Sequence, residues 1–200
     1  MAENWKHKSH LDQYRLDGKI AIVTGGGQGI GESCAHALVE AGANVIIVGR
    51  NEDNLNAVST ELNKKGQSSY FVADLVNTVE IKALQDYVAK KYKRADILIN
   101  NAGIGQWKSA LDITTEDWDL MIKTNLSSAF QLSQQFGKMM IDNKYGKIVN
   151  ISSISGFIVN SEHSHVHYLT SKAGLIHLTR GLAVEWIKSG VRVNCITPGY

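Results

Sequence analysis

The sequence predicts an α/β protein whose sheet is parallel and doubly wound, with helices on both faces in three layers. Short runs rich in isoleucine and valine alternate with longer stretches that carry the 3.6-residue apolar period of helices. Several of the short runs are apolar at nearly every position, as is typical of strands covered on both faces. Repeated strand–helix–strand order requires right-handed crossovers, which give a parallel sheet. No linker or repeat interrupts this order, so we expect one domain over residues 17–200, after a polar leader over residues 1–16.

The predicted elements follow one another in alternation. Runs of β-branched residues predict six strands, at Lys19–Thr24, Asn44–Gly49, Ser69–Val72, Asp96–Asn100, Lys147–Ser152 and Arg192–Ile196. Helical periodicity predicts five helices, at Ile30–Ala41, Asn54–Lys65, Val79–Tyr92, Glu116–Asp142 and Tyr168–Lys188. A sheet that ended with the sixth strand would have an uncovered edge. We therefore expect that a C-terminal part, with the last strand, is missing from this chain.

Composition narrows the class of protein. The 200 residues are 44% apolar and 20% charged, with a net charge of +2. No run approaches the roughly 18 apolar residues of a membrane-spanning helix. Basic residues cluster where helices are expected to end and where they favour the helix dipole, so no nucleic-acid surface is predicted. Cys34 and Cys195 are far apart, which favours free thiols in the cytoplasm over a disulfide framework or a metal site.

A glycine-rich turn lies between the first strand and the first helix. Glycine allows a tight turn and lets the backbone approach a pyrophosphate closely. The helix that follows offers its free N–H groups and the positive end of its dipole to the same anion. The alternative is that the glycines serve only a structural turn. The residues predicted to bind a dinucleotide here are Gly25, Gly27, Gln28, Gly29, Ile30 and Gly31.

The end of the second strand predicts which dinucleotide is bound. An acidic residue there would hydrogen-bond the ribose 2′-hydroxyl of NAD, whereas a basic residue accepts the 2′-phosphate of NADP. The strand ends on Gly49 and Arg50, whose guanidinium can pair with a phosphate through two hydrogen bonds. We therefore expect NADP(H) in preference to NAD(H). The alternative is that Arg50 is a solvated turn residue and that Asp53 recognises the ribose.

A tyrosine and a lysine are predicted to share one face of the fifth helix. Tyr168 and Lys172 are four residues apart, so both project to the same side. Carbonyl reduction needs a proton donor beside the carbon that accepts the hydride. A neighbouring ammonium could lower the pKa of a phenol from about 10 toward neutrality. The pair alone is a common accident of helical sequences, so its meaning depends on the other motifs.

Taken together, the motifs resemble those of short-chain dehydrogenase/reductases. From about Leu16 to the last residue, the chain carries them in that family's order: the glycine turn, Asn100-Asn101-Ala102-Gly103, Asn125, Ser152-Ser153, Tyr168 with Lys172, and Pro198-Gly199. The resemblance implies a Rossmann fold with strand order 3-2-1-4-5-6-7. It also implies hydride transfer between a nicotinamide and a carbonyl or alcohol carbon, and a homodimer or homotetramer.

The resemblance further implies roles for single residues. Tyr168 would be the general acid and base, and Lys172 would bind the nicotinamide ribose and lower the pKa of the tyrosine. Ser153 would hydrogen-bond the substrate oxygen; it is preferred to its neighbouring serines because it fits the family's Ser-x-x-Gly pattern. Asn125 would anchor a water in a proton relay. Further contacts with the dinucleotide would come from Asp74, Leu75, Asn101, Ala102, Gly103, Pro198 and Gly199.

The segment between the serine and the tyrosine predicts a polar substrate. Residues 160–167 are nearly all hydrophilic, which suits a hydroxylated molecule because buried donors without partners are unfavourable. The predicted substrate contacts are Ser155, His163 and His165. With His167, three alternate histidines could instead face a metal ion, but zinc needs a fixed geometry and usually a fourth ligand, so no metal is predicted.

We expect an NADP(H)-dependent oxidoreductase that acts on a ketose, polyol or sugar acid. The sequences that begin at Gly156 and Pro198 are similar to the branch of the family that contains sorbose reductases and gluconate 5-dehydrogenases. Two alternatives stay open: a 3-oxoacyl thioester reductase, and a dinucleotide-binding sensor without catalysis. The polar segment disfavours the first, and the complete set of catalytic residues disfavours the second.

Overall fold

A six-stranded parallel sheet forms the centre of the protein, in a computed structural model that describes residues 10–159 and 164–199. The strand order is β3-β2-β1-β4-β5-β6, and every neighbouring pair is parallel. The strands are β1 (Ile20–Thr24), β2 (Asn44–Gly49), β3 (Gln67–Val72), β4 (Ile97–Asn100), β5 (Gly146–Ile151) and β6 (Val191–Ile196). The predicted fold class is confirmed, and the order agrees with the first six positions implied by the resemblance.

In the part of the chain that the structure describes, six α-helices connect the strands. They are α1 (Gly29–Glu40), α2 (Glu52–Leu62), α3 (Thr78–Tyr92), α4 (Thr115–Ile122), α5 (Ser128–Asp142) and α6 (Val166–Trp186). Asparagine side chains cap α2 and α3, where Asn51 and Asn77 accept hydrogen bonds from backbone N–H groups of the first turn. Thr114 and Asp117 form a reciprocal capping box that fixes the start of α4.

The predicted single helix Glu116–Asp142 is wrong in one respect, because a π-helical turn over Lys123–Ser127 interrupts it. The N–H of Ser128 donates to the carbonyl of Lys123, five residues earlier, so the turn holds one residue more than an α-helical turn. Asn125 lies in this turn and is 1% exposed. Apolar periodicity continues on both sides of the turn, which is why the pattern alone predicted an unbroken helix.

Two hydrophobic cores lie on the two faces of the sheet. Alternate residues of a strand point to opposite faces. In β1, Ile20 and Ile22 therefore pack with residues of α3, α5 and α6, whereas Ala21 and Val23 pack with residues of α1 and α2. The three predicted layers are present.

The strand order places a crevice at the carboxyl ends of β1 and β4. The sheet grows in opposite directions from these two neighbours, so their following loops separate and leave a binding space. Toward the amino-terminal end of the described residues, the N–H of Leu16 donates to the carbonyl of Ala41 at 2.8 Å. None of the helices described is both long and apolar enough to cross a membrane.

Candidate active site

A cavity of about 720 Å³ opens at the carboxyl ends of β1, β2 and β4. Most of the residues predicted to bind a dinucleotide lie in its wall: Gly25, Gly27, Gln28, Gly29, Ile30, Arg50, Asp74, Leu75, Asn101, Ala102 and Gly103. Pro198 and Gly199 line an adjoining cavity instead. The structure therefore gathers residues from four loops around one space, as a long, bent ligand would require.

The glycine turn leaves room for a ligand on one side and for a helix on the other. Gly29 has a φ of +57°, and a Cβ added there would meet no atom within 4 Å. Gly31 lies behind the turn, where an added Cβ would be 2.2 Å from the carbonyl oxygen of Gly25. Gly29 therefore keeps open the space that an anion needs at the start of α1, whereas Gly31 allows the helix to pack against the turn.

Thr24 fixes the two strands that border the crevice. Its Oγ1 accepts hydrogen bonds from the N–H groups of Asn101 and Ala102, both at 3.0 Å. The Nδ2 of Asn101 in turn donates to the carbonyl of Thr24 at 3.0 Å. Thr24 is 1% exposed, so these bonds are shielded from water and hold the loop after β4 against the glycine turn.

The end of the cavity near β2 and β3 carries polar side chains. Arg50 is exposed in the wall beside Asn51 and Asn54. The Asn51 side chain caps α2 by accepting from the N–H of Asn54 at 2.9 Å, which sets the positive end of that helix beside Arg50. The carboxylate of Asp74 accepts from the N–H of Val76 at 3.1 Å. Asp53 lies in the exposed first turn of α2.

A second cavity, of about 410 Å³, adjoins the first and shares Ile30, Asn101, Gly103 and Ile104 with it. It contains the predicted chemical groups and several residues that the sequence did not single out. Its wall includes Gln106, Trp107, Ser153, Ser155, His165, Tyr168, Lys172, Pro198 and Gly199.

Lys172 is a buried cation beside Tyr168. It is 5% exposed, and its Nζ lies 5.7 Å from the centroid of the tyrosine ring. The Nζ donates to the carbonyl of Ile151 at 3.0 Å. Burial lowers the pKa of Lys172 to about 8, so the ammonium persists at neutral pH but is poorly solvated.

The structure separates the roles of the two adjacent serines. Ser152 is buried, and its Oγ donates to the carbonyl of Lys172 at 2.8 Å, which ties β5 to α6. Ser153 begins the short 3-10 turn Ile154–Gly156, and its Oγ accepts from the N–H of Ser155 at 3.1 Å. Because the oxygen only accepts in this hydrogen bond, the O–H of Ser153 is available to donate into the cavity. Both serines line the second cavity, and the choice of Ser153 stays a prediction.

Asn125 holds the loop after β4 rather than forming a cavity wall. Its Oδ1 accepts from the N–H of Ile104 at 2.8 Å, and its Nδ2 donates to the carbonyl of the same residue at 2.9 Å. A Cβ added to Gly103 would lie 3.2 Å from Asn125 Oδ1 and 3.5 Å from Lys172 Nζ. Asn125 and Lys172 therefore flank Gly103 closely. The water relay implied for Asn125 stays a prediction.

The predicted histidines are in different environments. His165 is 8% exposed and lies between Trp107 and Tyr168, with ring centroids at 4.9 and 5.5 Å. His167 is fully buried in the first turn of α6, and its Nε2 is 3.0 Å from Gln106 Oε1. His163 lies outside the described residues. Within residues 10–159 and 164–199, no three histidine, cysteine, aspartate or glutamate side chains come close enough to hold a metal ion.

Sequence reasoning missed the side chains of Gln106 and Trp107, which line the second cavity. The signal available was their position, three and four residues after Gly103, on the loop that must cover the carboxyl end of β4. Position alone does not reveal which way a loop side chain points, so neither residue could be assigned a role.

Comparisons with known proteins find a matching family model and proteins of similar sequence. A model of the family described as short chain dehydrogenase matches residues 19–200. Galactitol 2-dehydrogenase of Rhizobium johnstonii is 42% identical over 193 residues, which cover 96% of this chain and 75% of that protein. The 3-oxoacyl-acyl-carrier-protein reductase of Aquifex aeolicus is 38% identical, over 94% of this chain and 76% of that protein.

A solved structure shares the fold. It is named as an NAD(P)-dependent gluconate 5-dehydrogenase of Beutenbergia cavernae, with bound NADP at low occupancy. Its TM-score is 0.88 at 36% sequence identity, over 94% of this chain and 74% of that one.

Proposed function

The chain belongs to the short-chain dehydrogenase/reductase family of oxidoreductases, and on that premise we propose that it is an NADP(H)-dependent enzyme of a ketose, polyol or sugar acid. The observation that carries the proposal is the pair of adjoining cavities. One has the glycine turn and Arg50 in its wall, and the other has Ser153, Tyr168 and Lys172. The residues of the first would hold a dinucleotide, and those of the second would act on the substrate.

The chain's own residues would transfer the proton. A bound nicotinamide dinucleotide would supply the hydride for reduction or accept it in oxidation. Tyr168 would give its phenol proton to the developing alkoxide, or take it from the alcohol in the reverse direction. The ammonium of Lys172 would stabilise the phenolate; lowering a phenol pKa from about 10 to about 7 needs about 4 kcal/mol. The O–H of Ser153 would hydrogen-bond the substrate oxygen and hold it beside the phenol.

Arg50 supports the preference for NADP(H). It is exposed at the end of β2, beside the start of α2, and its guanidinium can reach toward a 2′-phosphate without breaking any hydrogen bond that is described. Hydrogen bonds to a charged group contribute about 1.5–3 kcal/mol each. Arg50→Gln should therefore weaken NADPH binding by about tenfold or more and leave NADH binding nearly unchanged. Arg180→Gln, which changes an exposed arginine on α6, is the matched control.

A hydroxylated substrate is supported by the second cavity and by the relatives. The volume of about 410 Å³ suits a small molecule, and hydroxyl and amide groups from Ser153, Ser155 and Gln106 line it. One relative is named for galactitol, and a structural neighbour for gluconate. A 3-oxoacyl thioester reductase is the second candidate, favoured by the 38% identity to such a reductase. We also expect a homodimer or homotetramer, which sedimentation would test.

The test follows the loss of NADPH or NADH absorbance with a panel of ketoses, keto sugar acids and a 3-oxoacyl thioester. Turnover of a keto sugar with NADPH, abolished in Tyr168→Phe, is the expected result. Turnover of the thioester alone would establish the second candidate instead. Tight binding of NADPH without turnover of any substrate would refute the proposed activity, and a preference for NADH would refute the role of Arg50.

A further inference from the structure

A hydrogen-bonded series of side chains supports one wall of the second cavity, outside the residues that carry the proposed chemistry. It links Asp117 of α4, Gln106 of the loop after β4, and His167 of α6. We propose that Gln106 determines specificity by donating an amide N–H to a hydroxyl group of the substrate, and that Asp117 and His167 orient that amide. The inference rests on the proposed function and adds a residue that recognises the class of substrate.

Asp117 decides which way the amide of Gln106 faces. The Nε2 of Gln106 is 3.3 Å from Asp117 Oδ1. Hydrogen bonds from Lys108 and Thr114 hold the pKa of Asp117 well below its usual range, so its carboxylate only accepts. The amide nitrogen must therefore face Asp117, because the reverse orientation would set two acceptor oxygens against each other.

The orientation of Gln106 in turn fixes the hydrogen on His167. The Oε1 of Gln106 only accepts, so the His167 Nε2, 3.0 Å away, must donate. His167 is fully buried, and its Nδ1 has no hydrogen-bond partner among the residues that the structure describes. With the hydrogen on Nε2, the N–H group of the ring is hydrogen-bonded to Gln106, whereas a hydrogen on Nδ1 would be buried without a partner.

The loop that carries Gln106 is held at further points. The N–H of Lys108 donates to the carbonyl of Ser164 at 2.8 Å, and the Lys108 ammonium pairs with Asp117. Gln106 itself is exposed and lies in the cavity wall. Its second amide hydrogen has no acceptor among the described residues, although its other hydrogen and its oxygen are engaged. A donor is therefore available on a side chain that lines the same cavity as Tyr168 and Ser153.

A fixed donor discriminates between substrates by their hydroxyl groups. A polyol or ketose can place an oxygen against the amide, whereas an alkyl chain leaves the N–H unpaired once water is excluded. One such hydrogen bond accounts for about a tenfold preference. Because Gln106 neither moves the proton nor carries charge, its loss should act on recognition rather than on the reaction rate at saturation.

The test compares two four-carbon ketones that differ only in their hydroxyls, erythrulose and butan-2-one, with Gln106→Met as the variant. Methionine keeps the length of the side chain and removes both the N–H groups and the carbonyl of the amide. We expect kcat/KM for erythrulose to fall about tenfold through KM, with kcat and the activity on butan-2-one nearly unchanged. Gln134→Met, at an exposed position of α5, is the matched control and should change neither substrate.

A second measurement is independent of turnover. The 15N shifts of the His167 ring should show the hydrogen on Nε2 in the wild type and a changed Nε2 environment in Gln106→Met. A hydrogen on Nδ1 overturns the inference, as does an unchanged preference for erythrulose in the variant while the wild type reduces it. If the wild type reduces none of the hydroxylated ketones, the proposed function itself fails, and the inference fails with it.

Discussion

Replacing Lys172 by methionine is expected to make the protein more stable while it removes the proposed activity. Burial lowers the pKa of Lys172 from its ordinary value of 10.5 to about 8. Each pKa unit corresponds to about 1.4 kcal/mol, so keeping this ammonium charged at pH 7 costs about 3 kcal/mol of folding free energy. Methionine has a similar length and no charge. The variant also loses the hydrogen bond to Ile151, which offsets about 1 kcal/mol of the stability gained by removing the buried charge. The net gain in the free energy of unfolding is therefore about 2 kcal/mol.

The effect has a defined pH dependence. Below pH 8, Lys172 is protonated in both the folded and the unfolded protein, and the full cost applies. Between pH 8 and 10.5 only the unfolded chain binds the proton, so the stability of the wild type rises with pH. The advantage of Lys172→Met should therefore be largest near pH 7 and should shrink steadily above pH 8.

Urea denaturation without added dinucleotide, at pH 7 and at pH 9.5, would measure this difference. A gain of about 2 kcal/mol corresponds to a rise in Tm of roughly 4–8 °C for a protein of this size. Lys138→Met, at an exposed position of α5, is the control and should change stability by less than about 0.5 kcal/mol. A variant less stable than the wild type at pH 7, or an advantage that grows with pH, would refute the reasoning.

Three further changes test the packing around the site by chemical denaturation. Gly31→Ala should lower the free energy of unfolding by about 1–3 kcal/mol, because its Cβ would be 2.2 Å from the carbonyl oxygen of Gly25. The control Gly181→Ala, on the open side of α6, should raise it by about 0.5–1 kcal/mol. Equal effects of the two substitutions would contradict the close approach at Gly31. Thr114→Ala removes the capping box of α4 and should lower the free energy of unfolding by about 1 kcal/mol. The control Thr60→Ala removes no cap and should lower it much less. Equal losses of stability would show that the cap contributes nothing. Asn125→Leu should lose at least 2 kcal/mol because the N–H and carbonyl of Ile104 lose their partners, and a loss below about 0.5 kcal/mol would mean that water replaces the amide.

Much of the fold could be predicted because the strands are buried on both faces. The near-continuous isoleucine and valine of β1 and β2 set their bounds within one residue of prediction. β3 was predicted two residues short because it begins with Gln67 and Ser68, which lie near the edge of the sheet and carry no apolar signal. The π-helical turn could not be predicted, since its extra residue changes the direction of side chains without changing composition.

The site, too, contains residues that could be predicted from the sequence and a contact that could not. Tyr168 and Lys172 could be identified because a fixed helical spacing places them together, and the glycine turn because it has a backbone requirement. The contact between Gln106 and His167 spans 61 residues and depends on how one loop folds. No periodic pattern in the sequence indicates such a contact. His167 was therefore interpreted only as one of three alternate histidines, although it is buried and its partner is the exposed Gln106.

The π-helical turn also limits how the length of this chain could vary. Deleting one residue within Lys123–Ser127 would restore a regular helix and rotate all of α4 by about 100° relative to α5. Met121, now 1% exposed, would move out of the core, and Asn125 would no longer face Ile104. A one-residue deletion here would thus disturb both the core and the loop after β4. Single-residue gaps should be rare at this point among related sequences, even where most of the side chains differ.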